Sequence, residues 1–352
     1  MTVRVPESLA EVTPAWLSEA LSFGRAVVRV TSVTVDRLLE GTATKALMRL
    51  TYDPATATDL PTRVCLKGGY SQESSRIIAT GAYASEARFY REVRPLLCVR
   101  VPACYFAAVD ESSLQGISIL EDLSGGRFGY APNPLSVDEV AQVLELLAGL
   151  HAPWWNSNKL DAYPWMEAPF ERGSATDRFL RMHSVKDIAR WLEEPRAKAV
   201  PAGITAEKVW SALWALQERV GDAPACLLHG DTHLGNLYFD RSGRPGLLDW
   251  QTPWRGCWAH DVAYFITSAL VVADRRRAER DLLAHYLNVL AGNGVPAPLP
   301  SQAWDDYRRY LAYGLFIWII NPREAQPDEV NEPYINRFSA AADDLEIFRL
   351  LA

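Results

Sequence analysis

The sequence predicts an α+β protein of two lobes, the first built on an antiparallel sheet with one main helix and the second mostly helical. Three observations lead there. The chain has 352 residues, more than one compact core usually holds. Between residues 28 and 120 apolar residues alternate with a period of two, broken by one stretch of helical spacing. Beyond residue 136 the helical period dominates, interrupted by a few short apolar runs.

The elements follow in order. Thr13-Pro14 reads as an N-cap with proline at the first helical position, opening a helix through Leu21. Val28–Val35, Ala46–Tyr52 and Arg63–Lys67 read as strands. Residues 71–97 are helical, with Ala84, Ala87, Phe89, Tyr90 and Val93 on the face offered to a core. Ala103–Val109 and Gly116–Leu120 are two further strands joined by a turn over Asp110 to Gln115. Gly125-Gly126 opens a loop, and Ser136 with Glu139 forms a capping box for a helix to about Gly149. Further helices are expected at about 204–219, 259–273, 276–291, 301–320 and 333–350, with short strands at Cys226–Leu228, Leu237–Phe239 and Pro245–Asp249. The lobes are expected to divide as 1–121 and 122–352, and no internal repeat is visible.

Composition excludes several classes. Hydrophobic residues make up 49% and charged residues 22%, as in ordinary globular proteins. The formal net charge of −7 disfavours a nucleic-acid partner. It fits a cationic substrate, and it fits ordinary solubility better. The five cysteines (Cys65, Cys98, Cys104, Cys226 and Cys257) are odd in number and form no CxxC pair. That argues against a disulfide framework and a structural zinc site. The opening MTVRVPESLAEVTPAWLSEAL lacks the apolar stretch of a secretory signal, and the longest apolar run, Leu311 to Ile320, is too short to span a bilayer. A cytoplasmic location is the expectation.

The chemistry concentrates in residues 226–239, CLLHGDTHLGNLYF. Two apolar runs flank a loop carrying His229, Asp231, His233 and Asn236. Asp231 and Asn236 have the spacing D-x-x-x-x-N, found in the catalytic loop of protein kinases. Phosphoryl transfer needs a carboxylate to orient and deprotonate the incoming hydroxyl, and an oxygen ligand nearby for Mg²⁺. The next apolar run, Leu247-Leu248, delivers Asp249 as a second hard oxygen donor. An isolated Asp231 would read as a turn residue; with Asn236 and Asp249 beside it, it reads as functional. His229 follows two apolar residues and is expected to support the loop. His233 is open to either support or substrate contact.

Lysine is rare, and Lys67 ends an apolar strand in VCLKGG, where a solvated charge is awkward. A carboxylate or phosphate partner explains it, and Glu86 in the helical YASEARFY supplies the carboxylate. A phosphate loop is expected between the first two strands, at Glu40-Gly41-Thr42-Ala43-Thr44, where Gly41 and Thr42 are the candidates. No GxxxxGK[ST] is present, which excludes P-loop chemistry.

The order Lys67, Glu86, a strand ending in Leu120-Glu121-Asp122-Leu123, then His229-Gly230-Asp231 with Asn236, and Leu248-Asp249-Trp250-Gln251, resembles the aminoglycoside phosphotransferase and choline kinase superfamily of protein-kinase-like enzymes. HGDTHLGN, LLDWQ and AHDVAYF look closest to its ecdysteroid-kinase-like branch and to bacterial proteins labelled simply phosphotransferase. The resemblance covers about residues 38–270; HGDxxxxN followed by an LDxQ strand is its specific part. It implies a bilobal protein-kinase-like fold and a small-molecule kinase with ATP, or GTP, as donor and Mg²⁺ as cofactor. Residue by residue it implies Asp231 as catalytic base, Asn236 and Asp249 as Mg²⁺ ligands, and Lys67 on the α- and β-phosphates with Glu86 positioning it. It further implies Glu121 to Leu123 as the hinge that reads adenine, and Asp261 as a brace for the catalytic loop.

Departures from the pattern matter. No glycine follows Asp249, no activation segment is visible, and the phosphate loop is not glycine-rich. A protein substrate is therefore disfavoured. The acceptor is expected to be a hydroxylated small molecule, aminoglycoside-, choline-, sugar- or sterol-like. All but one of the twelve tryptophans lie beyond residue 150. Trp254 and Trp258, close behind the metal strand, are the candidates for an acceptor pocket together with His233. Two other readings compete: a nucleotide-binding scaffold without catalysis, and a metal-dependent hydrolase using His229, Asp231 and His233. Oligomeric state is not legible.

Overall fold

The computed structural model describes residues 3–56, 58–70, 78, 80–219, 221 and 223–352. The chain divides into two compact units, Met1–Arg127 with Leu248–Thr252, and Phe128–Leu247 with Pro253–Ala352. The short segment 248–252 thus belongs to the first unit, although the chain has by then traversed much of the second.

The first unit opens with helix α1 (Pro14–Ser22), whose N-terminus is capped by the Thr13 hydroxyl accepting from the Trp16 N–H at 3.2 Å. Five strands follow: β1 (Val30–Leu39), β2 (Thr44–Tyr52), β3 (Arg63–Gly68), β4 (Cys104–Asp110) and β5 (Gln115–Glu121). They form one antiparallel sheet in the order β1-β2-β3-β5-β4. Alternation decides the two faces. Ala46, Met48, Leu50, Val64, Leu66, Phe106, Ile117 and Ile119 enter a core closed by Leu17, Ala20 and Leu21 of α1. Lys45, Leu47, Cys65 and Lys67 therefore occupy the opposite face. Strand β1 runs later than its apolar pattern predicts, to Leu39 rather than Val35. Only Val30 of it is buried, so its extent is set by backbone pairing with β2 rather than by a hydrophobic face.

Between β3 and β4 the helix α2 (Ala82–Arg88) continues as a π-helical turn over Phe89–Val93 and a 3₁₀ turn over Arg94–Leu96. Residues 71–77 and 79 of the helical stretch expected at 71–97 lie outside the described residues. Gly116 on β5 fixes the distance of α2 from the sheet: a Cβ there would collide with the backbone of Tyr83.

A two-residue strand β6 (Arg127–Phe128) marks the passage between the units. Helix α3 (Val137–His151) then starts at the expected capping box, in which the Ser136 N–H donates to Glu139 Oε2 at 2.9 Å and the Glu139 N–H to Ser136 Oγ at 3.3 Å. Helices α4 (Ala175–Arg181), α5 (Val185–Leu192) and α6 (Ala206–Gln217) lead to β7 (Ala225–Leu228), β8 (Leu237–Phe239), β9 (Pro245–Leu247) and β10 (Trp254–Cys257). Strands β7 and β10 pair antiparallel with Leu228 opposite Trp254, and β8 pairs with β9 with Leu237 opposite Leu247.

The rest is helical: α7 (Ala259–Ala269), α8 (Val272–Gly292), α9 (Pro300–Ile320), α10 (Asp328–Asp344) and α11 (Ile347–Leu350). Every residue of α7 is buried, which makes it the central helix of this unit. The helix expected at 259–273 breaks at Leu270, whose backbone is extended. The one expected at 333–350 begins at Asp328, with Pro333 inside it, and ends before Glu346 in a left-handed conformation. Among the described residues no helix is long and apolar enough to cross a membrane.

Candidate active site

In the first unit the site is built around Lys67. Lys67 is the last residue but one of β3, and its ammonium donates to Glu86 Oε1 at 2.7 Å and to Asp249 Oδ1 at 2.7 Å. Lys67 is 5% exposed and Glu86 3%. Burial works against the ammonium, but Asp249 and Glu86 outweigh it and hold Lys67 charged, well above the ordinary lysine range. Burial raises the Glu86 carboxyl and the negative Asp249 adds to this, while Lys67 pulls it down. Glu86 Oε1 also accepts from the Trp250 N–H at 3.1 Å, and the Trp250 indole lies flat on Phe89, with centroids 3.9 Å apart and planes 8° from parallel. The segment carrying Asp249 is thus fastened to α2 by a hydrogen bond and a ring stack. Asp249 itself has φ of 65°, a left-handed conformation that aspartate tolerates better than most side chains.

The phosphate loop candidates Gly41 and Thr42 lead into β2, where Thr44 pairs with Gly68 and Lys45 with Lys67. The Thr42 carbonyl accepts from the Tyr83 hydroxyl, which ties the β1–β2 loop containing Gly41 to helix α2. At the far end of β5, Glu121 Oε2 accepts from the Ala103 N–H at 3.2 Å and its own N–H donates to the Ala103 carbonyl at 2.8 Å. The Leu123 carbonyl accepts from Gly126 N–H at 2.9 Å, closing a tight turn after the strand.

In the second unit the loop 229–236 is suspended from Asp261 on α7. Its carboxylate accepts from the backbone N–H groups of His229 (2.8 Å) and Gly230 (3.0 Å) and from His151 Nε2 (3.2 Å). Its carbonyl accepts from the Thr232 hydroxyl at 2.7 Å. Asp261 is wholly buried. Burial opposes its charge, but the bond from His151 and the neighbouring imidazoles hold the carboxyl below its ordinary value. The far nitrogen of His151 meets the Tyr286 hydroxyl at 2.8 Å, fixing the ring. His260 Nε2–H donates to the Gly230 carbonyl at 2.9 Å, and burial keeps this imidazole neutral by lowering its pKa. His229 is wholly buried, and its Nδ1 accepts from the Asp231 N–H at 3.3 Å.

This scaffold presents Asp231, whose side chain is 38% exposed. Asn236 Nδ2 donates to the Asp231 carbonyl (2.8 Å) and carboxylate (2.9 Å), which orients the carboxylate. His233 Nε2 stands 3.5 Å from the same carboxylate, and burial, with the Asp231 charge added to it, pushes the Tyr264 hydroxyl well above its ordinary pKa. The His233 ring is enclosed edge-on by Trp318 (5.3 Å), Tyr334 (5.7 Å) and Tyr264 (6.3 Å). Its Nδ1 accepts from Gly235 N–H at 3.0 Å.

The expected acceptor aromatics fall elsewhere. Trp258 is wholly buried and stacked on Tyr286 at 5.1 Å, a core position that presents no surface to a ligand. Trp254, 6% exposed, packs edge-on against His260 (5.3 Å) and Tyr313 (6.0 Å). The aromatic residues around His233 are Tyr264, Trp318 and Tyr334, brought by α7, α9 and α10. Sequence reading also missed His151, and weighed His260 only as a further metal ligand for a hydrolase. A histidine in the last turn of the apolar LELLAGLH was the available signal for the first, and the buried stripe of AHDVAYF for the second. A cavity of about 300 Å³ in this unit is bounded by Leu160, Pro169, Phe170, Leu228, Cys257 and Tyr310, among others.

Asn236 in the second unit offers an amide oxygen and Asp249 in the first a carboxylate. An amide oxygen and a carboxylate are hard ligands, and among the described residues no group of three or more His, Cys, Asp or Glu is placed to hold a metal ion. The same fact leaves the hydrolase reading of His229, Asp231 and His233 without a converging ligand set.

A sheet-bound lysine paired to a helix glutamate, a second carboxylate beside it, and a braced D-x-x-x-x-N loop define a phosphotransferase of kinase-like fold. Residues 71–315 match the model of the phosphotransferase enzyme family, more than half of the chain, so the protein belongs to that family. Its expected membership of the aminoglycoside phosphotransferase and choline kinase superfamily, and its class as a small-molecule kinase, both stand. A provisionally named aminoglycoside phosphotransferase of Ralstonia eutropha JMP134 has the same fold, with TM-score 0.54 at 15% identity over 96% of this chain and 97% of that one. A choline/ethanolamine kinase family protein of Mesorhizobium loti gives TM-score 0.49 at 16% identity over 90% and 91% of the two chains. The choline kinase of Streptococcus pneumoniae gives 0.47 at 15% identity over 90% and 94%. No curated protein matches the sequence significantly.

Proposed function

We propose that this phosphotransferase moves the γ-phosphoryl group of ATP, with GTP as the second candidate donor, directly to a hydroxyl of a small molecule. The observation that carries the reading is the convergence of Glu86 and Asp249 on the Lys67 ammonium, 2.7 Å from each. A buried ion cluster is weak as a stabilising device but well suited to hold a cation for phosphate oxygens. Lys67 is read as the donor's phosphate contact, positioned by Glu86, and Asp231 as the base that accepts the acceptor's hydroxyl hydrogen. Asn236 and Asp249 would hold Mg²⁺, which supplies charge neutralisation at the phosphate oxygens. The backbone from Glu121 to Leu123 is read as the edge that meets the nucleobase, with Gly41 and Thr42 over the phosphates. His233, held beside Asp231 among aromatic rings, is read as facing the acceptor. Positioning and electrostatics carry the rate in such a transfer.

The acceptor is read as aminoglycoside-, choline-, sugar- or sterol-like. A scaffold without catalysis is disfavoured because Lys67, Asp231, Asn236 and Asp249 are all present. The test is the thermal unfolding midpoint with and without Mg·ATP or Mg·GTP, followed by transfer of labelled γ-phosphate to hydroxylated acceptors. Ligand at 100 times its dissociation constant adds about 2.7 kcal/mol, a shift of a few degrees. Absence of a magnesium-dependent shift with either nucleotide at millimolar concentration would overturn the reading.

A further inference from the structure

We propose that Lys45 is a second phosphate-binding residue of the donor site, doing by charge what a glycine-rich loop does with backbone amides. The proposal rests on the donor-site reading of Lys67 and concerns a residue that reading does not use. Lys45 lies directly opposite Lys67 in the β2–β3 register. Both side chains project from the face of the sheet opposite the core, because Ala46, Met48 and Leu66 point the other way. Like charges facing each other across a strand pair are destabilising. Here Asp249 bridges them, with Oδ1 on Lys67 at 2.7 Å and Oδ2 3.8 Å from Lys45.

The two lysines differ in freedom. Lys67 is almost wholly buried and held by two carboxylates, whereas the Lys45 side chain is 32% exposed and only loosely engaged. With a divalent cation at Asp249, Lys45 would be the ammonium free to reach phosphate oxygens. The preceding loop explains why one is required. Glu40-Gly41-Thr42-Ala43-Thr44 has a single glycine, so Cβ atoms on its last three residues keep the backbone from wrapping closely around a polyphosphate. The loop is also tethered to α2 through the Tyr83–Thr42 hydrogen bond. Two ammoniums facing two carboxylates leave the cluster without excess positive charge, and a cation at Asp249 would leave Lys45 without its carboxylate and open to an anionic ligand.

The test is calorimetric titration of wild type, Lys45→Met, Lys45→Gln and Lys45→Arg with Mg·ATP, Mg·ADP and adenosine. A charge-assisted contact to phosphate predicts that Met and Gln weaken Mg·ATP and Mg·ADP about 10-fold or more. Adenosine affinity should stay unchanged, and Arg should restore most of the loss. Either of two results overturns the assignment: Mg·ATP affinity unchanged in both neutral variants, or an equal loss for adenosine, which would make Lys45 a structural residue. Failure of the wild type to bind any of the three would instead remove the donor site itself, and this inference with it. The Gln variant keeps a polar, similarly sized side chain should Met disturb the strand.

Discussion

Replacing Asp261 by asparagine keeps the shape of the side chain and removes its charge. Three donors converge on this wholly buried carboxylate, from the backbone of His229 and Gly230 and from His151 Nε2, at 2.8, 3.0 and 3.2 Å. Both oxygens are used, so whichever way the new amide turns, its NH₂ confronts at least one N–H. In the better orientation the oxygen keeps His229 and His151, and the Gly230 N–H is stranded. Losing one bond to a charged acceptor and burying an unpaired donor costs about 2–5 kcal/mol, with the two remaining bonds weakened from charged to neutral. That is a large share of the roughly 5–15 kcal/mol that holds a typical domain.

Urea unfolding followed by tryptophan fluorescence should show a lower midpoint for Asp261→Asn at an unchanged slope. The pH dependence gives a second arm. The folded-state pKa of Asp261 is depressed, so its contribution is fully present above its ordinary value of 3.8 and is lost as pH falls through the lower folded value. The gap between wild type and variant should therefore be widest near neutrality and narrow below pH 3.8. A variant within ~0.5 kcal/mol of wild type at neutral pH, the range of an ordinary surface change, would refute the argument that Asp261 suspends the loop. A gap that stayed constant into acid would refute the part assigned to charge.

Three further outcomes follow from the same geometry. Asp231→Asn should lower phosphoryl transfer at least ~100-fold, the scale of a general base, while calorimetric affinity for Mg·ATP stays within a factor of two to three; lost binding with retained turnover would contradict the role. Lys67→Met leaves Glu86 and Asp249 facing each other without their cation and should cost about 3–5 kcal/mol in thermal melts. The Glu86 carboxyl is already raised by burial and rises further without Lys67, so this variant should gain stability as pH falls from neutrality toward the ordinary carboxyl value of 4.5; a flat profile would count against the cluster. Trp250→Ala removes the ring stacked on Phe89 and should destabilise by about 3–5 kcal/mol, with faster amide exchange along α2; unchanged exchange would show that the stack does not fasten Asp249 to the helix.

Much of this molecule is legible in one dimension because its signals are local. The capping box at Ser136 and Glu139 is a contact between residues three apart, and it starts α3 where expected. Strand β2 announces itself because its burial alternates, so the period of two survives in the sequence, whereas β5 is buried along nearly its whole length and reads as an apolar run. Strand β1 hid its last residues because its side chains are exposed and only its partner defines it. The D-x-x-x-x-N loop is likewise local: Asn236 reaches Asp231 within one short turn.

What the sequence determined, then, was the order of strands and helices, the loop that carries Asp231 and Asn236, and the suspicion that Lys67 needs a carboxylate. What the tertiary structure alone decided was which distant groups meet. Lys67 and Asp249 lie 182 positions apart and touch because residues 248–252 fold with the first unit. His151 reaches Asp261 across 110 positions. Trp258 proved to be core and Trp318 a neighbour of His233, since a tryptophan's hydrophobicity is the same in either place. Contacts between elements depend on how faces pack in three dimensions, and no periodicity along the chain encodes that directly.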